Sequence, residues 1–130
     1  MYRSADLHPF LTSLVAKFAP YGTRYGNALT MGAVPAGRIY TDLALLSTVL
    51  EDLIHNAFSH SPTTAEISVL QVAAALQFRI ADRGSQDLED RIPDCLQFSR
   101  EAIAELGGSL WLEANPPQGA VVCFVVPSGN

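Results

Sequence analysis

The sequence is poor in the residues that several classes of protein require. It carries eight Lys and Arg residues against thirteen Asp and Glu residues, for a formal net charge of −5, and it has no cluster of basic residues. Proteins that bind DNA or RNA present a basic surface to the phosphate backbone. We therefore expect no nucleic-acid partner, while a small local anion site stays compatible with this charge.

Cysteine and histidine are also scarce. The two thiols, Cys95 and Cys123, lack the spacing of metal ligands and the density of a disulfide scaffold, and the three histidines are scattered. We expect no structural metal and no disulfide, which indicates a reducing, cytoplasmic setting. Cys123 lies inside an apolar run and is interpreted as a small buried hydrophobic residue.

No apolar run is long enough to cross a membrane. The longest, AVVCFVV from Ala120 to Val126, suits a strand buried on both faces, and the N-terminal segment has no apolar core of signal-peptide length. We expect no membrane contact by this domain. A chain of 130 residues that is 48% hydrophobic is predicted to form one compact domain over residues 1–130.

The apolar periodicity predicts three helices over one face of a sheet of roughly four or five strands, a two-layer α+β sandwich. The first two helices run from Leu7 to Phe18 and from Leu43 to Ser59, the second capped by Thr41 or Asp42. The third is predicted to start at a capping box of Asp94 and Gln97, to bury Phe98, Ala102, Ile103 and Leu106, and to stop at Gly107. The strands are predicted from Asn27 to Met31, Arg38 to Tyr40, Glu66 to Val72, Ala75 to Asp82, Ser109 to Glu113 and Ala120 to Val126.

Asp82 is the most informative single residue. The alternation that sends Phe78 and Ile80 inward sends the carboxylate of Asp82 to the same side, and Gly84 leaves room for a ligand beside it. An ionised acid in that position requires a hydrogen-bonding partner. The alternative is that the strand ends before Asp82 and that its side chain caps a turn.

The long helix carries a second group of polar residues at the edge of its apolar stripe. Asp52 and Asn56 are four residues apart and therefore neighbours one turn apart. A carboxylate beside an amide oxygen can hold Mg²⁺ whose other ligands are phosphate and water, although a solvated helix flank has the same pattern. His60, near the end of the helix, would contact either a phosphate or the last carbonyl groups.

Three segments in collinear order carry a resemblance that spans nearly the whole chain. The segment VLEDLIHNAFSHSP resembles the N box, and IADRGSQ resembles the first glycine box, of the ATP-binding catalytic domain (HATPase_c) of sensor histidine kinases, in the GHKL or Bergerat-fold superfamily. REAIAELGGSLWLEANPPQGAVVCFVVP resembles the C-terminal stretch of that domain. The resemblance implies a Bergerat fold and binding of ATP with Mg²⁺.

The resemblance also implies roles for individual residues. Asn56 would be the ligand of the Mg²⁺ that accompanies ATP, Asp82 would receive the adenine amino group, and Gly84 would let the base approach the backbone. His60 and Gly119 would also contact the nucleotide. Asp52, with Glu51 as the fallback, would take the place of the Glu that activates water in ATP-hydrolysing relatives of the superfamily.

The implied activity is transfer of the ATP γ-phosphoryl group to a histidine on a separate dimerisation domain of the same, longer kinase, with a response regulator as a further partner. The sequence departs from the family pattern at Gln86 in the first glycine box, in the short glycine-poor lid between Ser85 and Gln97, and at Ala120, where the family often has Thr. Two alternatives therefore stay open. One is a degenerate module, a pseudokinase that docks a signalling partner, and the other is an anti-sigma-type kinase or ATPase.

Overall fold

The computed structural model describes residues 1–20, 26–60, 64–83, 96–116 and 119–129, except for the side chains of residues 59 and 60. Within these ranges the helices are α1 (Leu7–Lys17), α2 (Leu43–His60) and α3 (Gln97–Glu105). The strands are β1 (Arg3–Asp6), β2 (Ala28–Met31), β3 (Arg38–Thr41), β4 (Thr64–Val72), β5 (Ala75–Ala81), β6 (Ser109–Ala114) and β7 (Ala120–Pro127). Most of these bounds lie within two residues of the predicted ones.

Five of the strands form one mixed sheet in the order β2-β4-β5-β7-β6. β2 runs parallel to β4, and the other neighbours are antiparallel. This arrangement confirms the predicted α+β sandwich. The small antiparallel sheet of β1 and β3 was not predicted, because four exposed or half-buried residues such as RSAD give no alternating signal.

The core joins alternate residues of the central strands to the buried stripe of α2. Leu46, Leu50 and Leu53 are fully buried on the helix, and the rings of Phe78 and Phe124 stack at 4.8 Å between centroids where β5 pairs with β7. Such burial of large apolar side chains is the main favourable term in folding. Together these residues fix the strand ends and the helix edge on which the predicted site residues lie.

The cap of α2 is Asp42, one of the two predicted candidates. Its Oδ1 accepts a hydrogen bond from the backbone N–H of Leu45 at 3.2 Å, and this bond lowers the pKa of the carboxyl below its ordinary value. The predicted burial of Cys123 is also confirmed. Burial raises the pKa of this thiol to about 11, so it is protonated at neutral pH.

The predicted start of α3 is wrong. Leu96 occupies the N-cap position and makes no side-chain cap hydrogen bond, so Gln97 is the first residue of the helix, and its side chain bonds Glu101 at 2.7 Å. Asp94 itself lies outside the described residues. Phe98 is exposed and not part of the core, because the buried face of the helix is set by Leu96, Ser99 and Ile103 at helical spacing.

Candidate functional site

Asp82 follows directly on β5, at the centre of the main sheet. The strand ends at Ala81, one residue before the predicted end, yet the backbone N–H of Asp82 still donates to the carbonyl of Ala120 at 2.9 Å. The inward alternation therefore continues through Asp82, whose side chain is 1% exposed. The prediction that Asp82 turns inward is confirmed by this burial, while the strand ends before Asp82, as the alternative had it.

The turn between β6 and β7 holds the backbone on the other side of Asp82. The side-chain amide of Asn115 donates to the Asp82 carbonyl at 2.7 Å, and the Arg83 guanidinium donates to the Pro116 carbonyl at 3.1 Å. The Asn115 N–H closes the turn on the Gly119 carbonyl at 3.2 Å. Asp82 is thus fixed through both of its peptide groups.

Gly119 lies so close to the backbone of Asp82 that no side chain fits at this position. Its φ is +110°, and a Cβ at this position would lie 2.0 Å from the carbonyl oxygen of Asp82. Only a residue without a side chain allows that approach at such a φ. The predicted contact of Gly119 with a nucleotide stays a prediction, and the contact that the structure shows is with the backbone of Asp82.

Asp52 lies on the flank of α2 that faces α3. Its Oδ2 accepts a hydrogen bond of 2.8 Å from the hydroxyl of Ser99, which is fully buried. Asn56 follows one turn later on the same flank and is half-buried, as Asp52 is. Glu51 forms an ion pair with Lys17 of α1 and so lies on the opposite flank. The geometry therefore favours Asp52 over Glu51 as the acid next to Asn56.

Two predicted site residues lie outside what the structure describes: Gly84 and the side chain of His60. Within the described ranges, no group of three His, Cys, Asp or Glu side chains is placed to hold a metal ion. The predicted role of Asn56 as a ligand of Mg²⁺ stays a prediction.

Sequence reasoning did not single out Ser99 or Asn115. Ser99 follows Leu96 by three residues and precedes Ile103 by four, so its place on the buried face of α3 could have been read from this spacing. Its partner on α2 could not, because the two residues are 47 positions apart. Asn115 stands in the turn NPPQG, where its residue type indicates only a turn.

Several solved structures with this arrangement of elements are catalytic domains of histidine kinases. The nucleotide-free catalytic domain of histidine kinase ThkA superposes with a TM-score of 0.85 at 17% identity, over 99% of this chain and 98% of that one. The ATP binding domain of PrrB from Mycobacterium tuberculosis gives 0.85 at 19% identity, over 99% and 98%. This chain has the histidine kinase catalytic-domain fold.

The same fold occurs inside a longer protein. Full-length ShkA in complex with AMPPNP superposes with a TM-score of 0.86 at 18% identity, over 99% of this chain and 31% of ShkA. No protein-family model and no curated protein matches the sequence. Among the helices whose residues are described, none is both long and apolar enough to span a bilayer. The histidine kinase fold and the predicted Bergerat architecture are therefore established by structure alone.

Proposed function

We propose that this chain is the ATP-binding catalytic domain of a two-component sensor histidine kinase, with residues 1–130 as one domain of a longer cytoplasmic or membrane-bound sensor. The observation that carries the proposal is the buried carboxylate of Asp82 at the end of a central strand in a histidine kinase fold. Support also comes from the ATP binding domain of PrrB and from the AMPPNP complex of ShkA.

Adenine recognition is assigned to Asp82. Its carboxylate would accept a hydrogen bond from the exocyclic amine of adenine, whereas a base with a carbonyl at that position would place an acceptor oxygen against the carboxylate. Because both peptide groups of Asp82 are hydrogen-bonded, the acid is held ready before the nucleotide arrives. Gly84 and Gly119 would let the base approach the backbone.

The phosphates and Mg²⁺ are assigned to the C-terminal half of α2. Asn56 would hold the ion through its amide oxygen, and His60 would contact a phosphate. When bound, Mg²⁺ supplies positive charge that neutralises the phosphate oxygens. This suits a domain with net charge −5, which has no cluster of Lys or Arg for the same purpose.

The reaction is phosphoryl transfer to a histidine on a separate dimerisation domain. An imidazole nitrogen of that histidine bonds to the γ-phosphorus while the bond from the γ-phosphorus to the bridging oxygen breaks, and ADP leaves. This chain contributes mainly by positioning ATP, with Asp52 as the acceptor of the proton that the other imidazole nitrogen loses. A response regulator is a further proposed partner, since ThkA has been solved with the response regulator TrrA. No contact with nucleic acid or with a membrane is proposed.

A degenerate, non-catalytic module is the second candidate. Asp52 already accepts a hydrogen bond from Ser99, and the fully buried Ala120 stands where the resemblance places a hydroxyl. Such a domain would bind nucleotide weakly or not at all and would dock a signalling partner. An anti-sigma-type kinase or ATPase would use Asp52 on another acceptor.

Calorimetric titration with ATP, with and without Mg²⁺, tests the proposal. We expect saturable binding by the parent protein, weakened about tenfold or more by Asp82→Asn, because one hydrogen bond to a charged group contributes about 1.5 to 3 kcal/mol. Asn56→Ala should abolish the gain in affinity that Mg²⁺ gives. The matched control is Asp6→Asn, which makes the same change at an exposed carboxylate paired with Arg38 in the small sheet.

Absence of saturable ATP binding by the parent protein would contradict the kinase proposal and favour the degenerate module. Where binding is found, phosphotransfer to a supplied dimerisation domain distinguishes the two. Transfer to that histidine supports a kinase, whereas ATP binding without transfer supports the second candidate. Release of inorganic phosphate in the absence of any acceptor would instead favour an ATPase.

A further inference from the structure

Asn115 extends the hydrogen bonding of the sheet beyond its last strand pair. The antiparallel ladder of β5 and β7 ends where Ala81 pairs with Val121. One residue further, the Asp82 N–H still reaches β7, but the Asp82 carbonyl receives its 2.7 Å hydrogen bond from the side chain of Asn115. A side-chain amide thus completes the pairing at Asp82, whose own side chain is a buried carboxylate.

The backbone around the Asp82 carbonyl is closely packed. Gly119 approaches the same carbonyl so closely that no side chain fits there, and Asn115 is itself held by the bond from its N–H to the Gly119 carbonyl. Asp82 is therefore held at its N–H by β7 and at its carbonyl by Asn115 and Gly119 of the β6–β7 turn. A change of the Asn115 side chain alters the anchoring of Asp82 without touching the carboxylate.

We infer that Asn115 is a positioning residue that sets adenine selectivity through Asp82, an inference that rests on the proposed function. A carboxylate on a fixed backbone meets the adenine amine at hydrogen-bonding distance, and it also cannot turn away from the carbonyl oxygen that inosine presents at the same position. If the backbone of Asp82 is released, its hydrogen bond to the adenine amine weakens, and its repulsion by the inosine carbonyl oxygen also decreases. Both effects lower discrimination between the two bases.

The test compares the affinities of the whole domain for ATP and for ITP. In Asn115→Ala, we expect the ratio of the ITP and ATP dissociation constants to fall about tenfold, the size of one hydrogen bond. Asn115→Asp, which keeps the shape but has no N–H to donate, should lower the ratio similarly. The Asp82 amide should also exchange with solvent deuterium faster in both variants, because Asp82 then keeps only the anchor of its own N–H to Ala120 and loses the one at its carbonyl.

Gln71→Ala is the matched control; Gln71 lies on β4, next to the start of β5 and therefore at the end of that strand far from Asp82. The Gln71 amide donates to the carbonyls of Ala73 at 2.7 Å and Ala75 at 3.3 Å, so the change removes the same kind of bond without reaching Asp82. It should leave the selectivity ratio unchanged, even where it lowers the melting temperature. If Asn115 contributed only to stability, Asn115→Ala would leave the selectivity ratio unchanged, as Gln71→Ala does.

The outcomes separate this inference from the proposed function. A parent protein that prefers ATP, with folded Asn115→Ala and Asn115→Asp variants that keep the same preference, would overturn the role of Asn115 and leave the proposed function intact. A parent protein that binds neither nucleotide would overturn both. A selectivity ratio that falls in both Asn115 variants but not in Gln71→Ala establishes the positioning role.

Discussion

Substitution of Gly119 by alanine should disrupt the anchoring of Asp82 more than any other single methyl group near it. The new Cβ would lie 2.0 Å from the Asp82 carbonyl oxygen and 3.0 Å from the Arg83 Cα, and both of these are backbone atoms that cannot rotate away. The β6–β7 turn and the end of β5 would have to separate by about 1 Å. Gly119 also has a φ of +110°, which an alanine adopts only with strain.

The expected loss of stability has two parts. The strain of a side chain at this φ amounts to about 1 to 3 kcal/mol. Separation of the backbones would also weaken the bonds that Asp82 makes to Ala120 and to Asn115, each worth about 1 kcal/mol. We therefore expect Gly119→Ala to lower the free energy of unfolding by about 3 to 5 kcal/mol, within the usual total of about 5 to 15 kcal/mol for a domain.

Gly37→Ala separates the strain of a positive φ from the effect of the clash with Asp82. Gly37 has a φ of +128° but nothing within 4 Å of the added Cβ, so this variant should show only the strain of about 1 to 3 kcal/mol. Urea unfolding measures both, and at a slope of about 1.5 kcal/mol per molar the midpoint of Gly119→Ala should fall by about 2 M or more. Equal losses in the two variants would show that the approach of Gly119 to Asp82 carries no energy and would refute the reasoning.

Two further predictions concern titrating groups. The folded pKa of Asp42 is lowered by the Leu45 N–H, so the stability that Asp42 contributes is present above the ordinary value of 3.8 and is lost as the pH falls through the folded pKa. Asp42→Asn should therefore flatten the fall of the melting temperature in acid. An unchanged profile would contradict the role of Asp42 as a cap. The second prediction uses a Cys95→Ser variant, in which Cys123 is the remaining thiol. Because Cys123 is buried and its pKa is raised to about 11, iodoacetamide at pH 8 should label it far more slowly in the native protein than in urea. Equal labelling rates would contradict the burial of the thiol.

The central elements could be predicted because their patterns are local. The alternation of β5 and the three-to-four spacing of α2 are contained in short stretches of sequence, and each stretch has one face that the core must cover. The same local rule sent Asp82 inward correctly. In α3 it held for Ala102, Ile103 and Leu106, which are buried, but failed at Phe98, which is exposed while the polar Ser99 lies on the buried face.

The interactions that complete the candidate site are of another kind. Ser99 bonds Asp52 and Asn115 bonds Asp82, and both pairs join residues far apart in the sequence. Neither serine in a helix nor asparagine in a turn specifies a distant partner, since both residue types also bond their own backbone. Such pairs follow from the packing of whole elements and become visible only with the fold.

The two halves of the candidate site are therefore built differently. The half proposed to bind the base rests on the sheet: Asp82 is anchored by β7 and by the β6–β7 turn, whose positions are set by a ladder of strand pairs. The half proposed to bind the phosphates rests on α2, where Asn56 stands beside Asp52, and Asp52 accepts a hydrogen bond from Ser99 of α3. Under the proposed function, selectivity for a base would therefore depend on the sheet, whereas binding of the phosphates would depend on α2 and on its contact with α3.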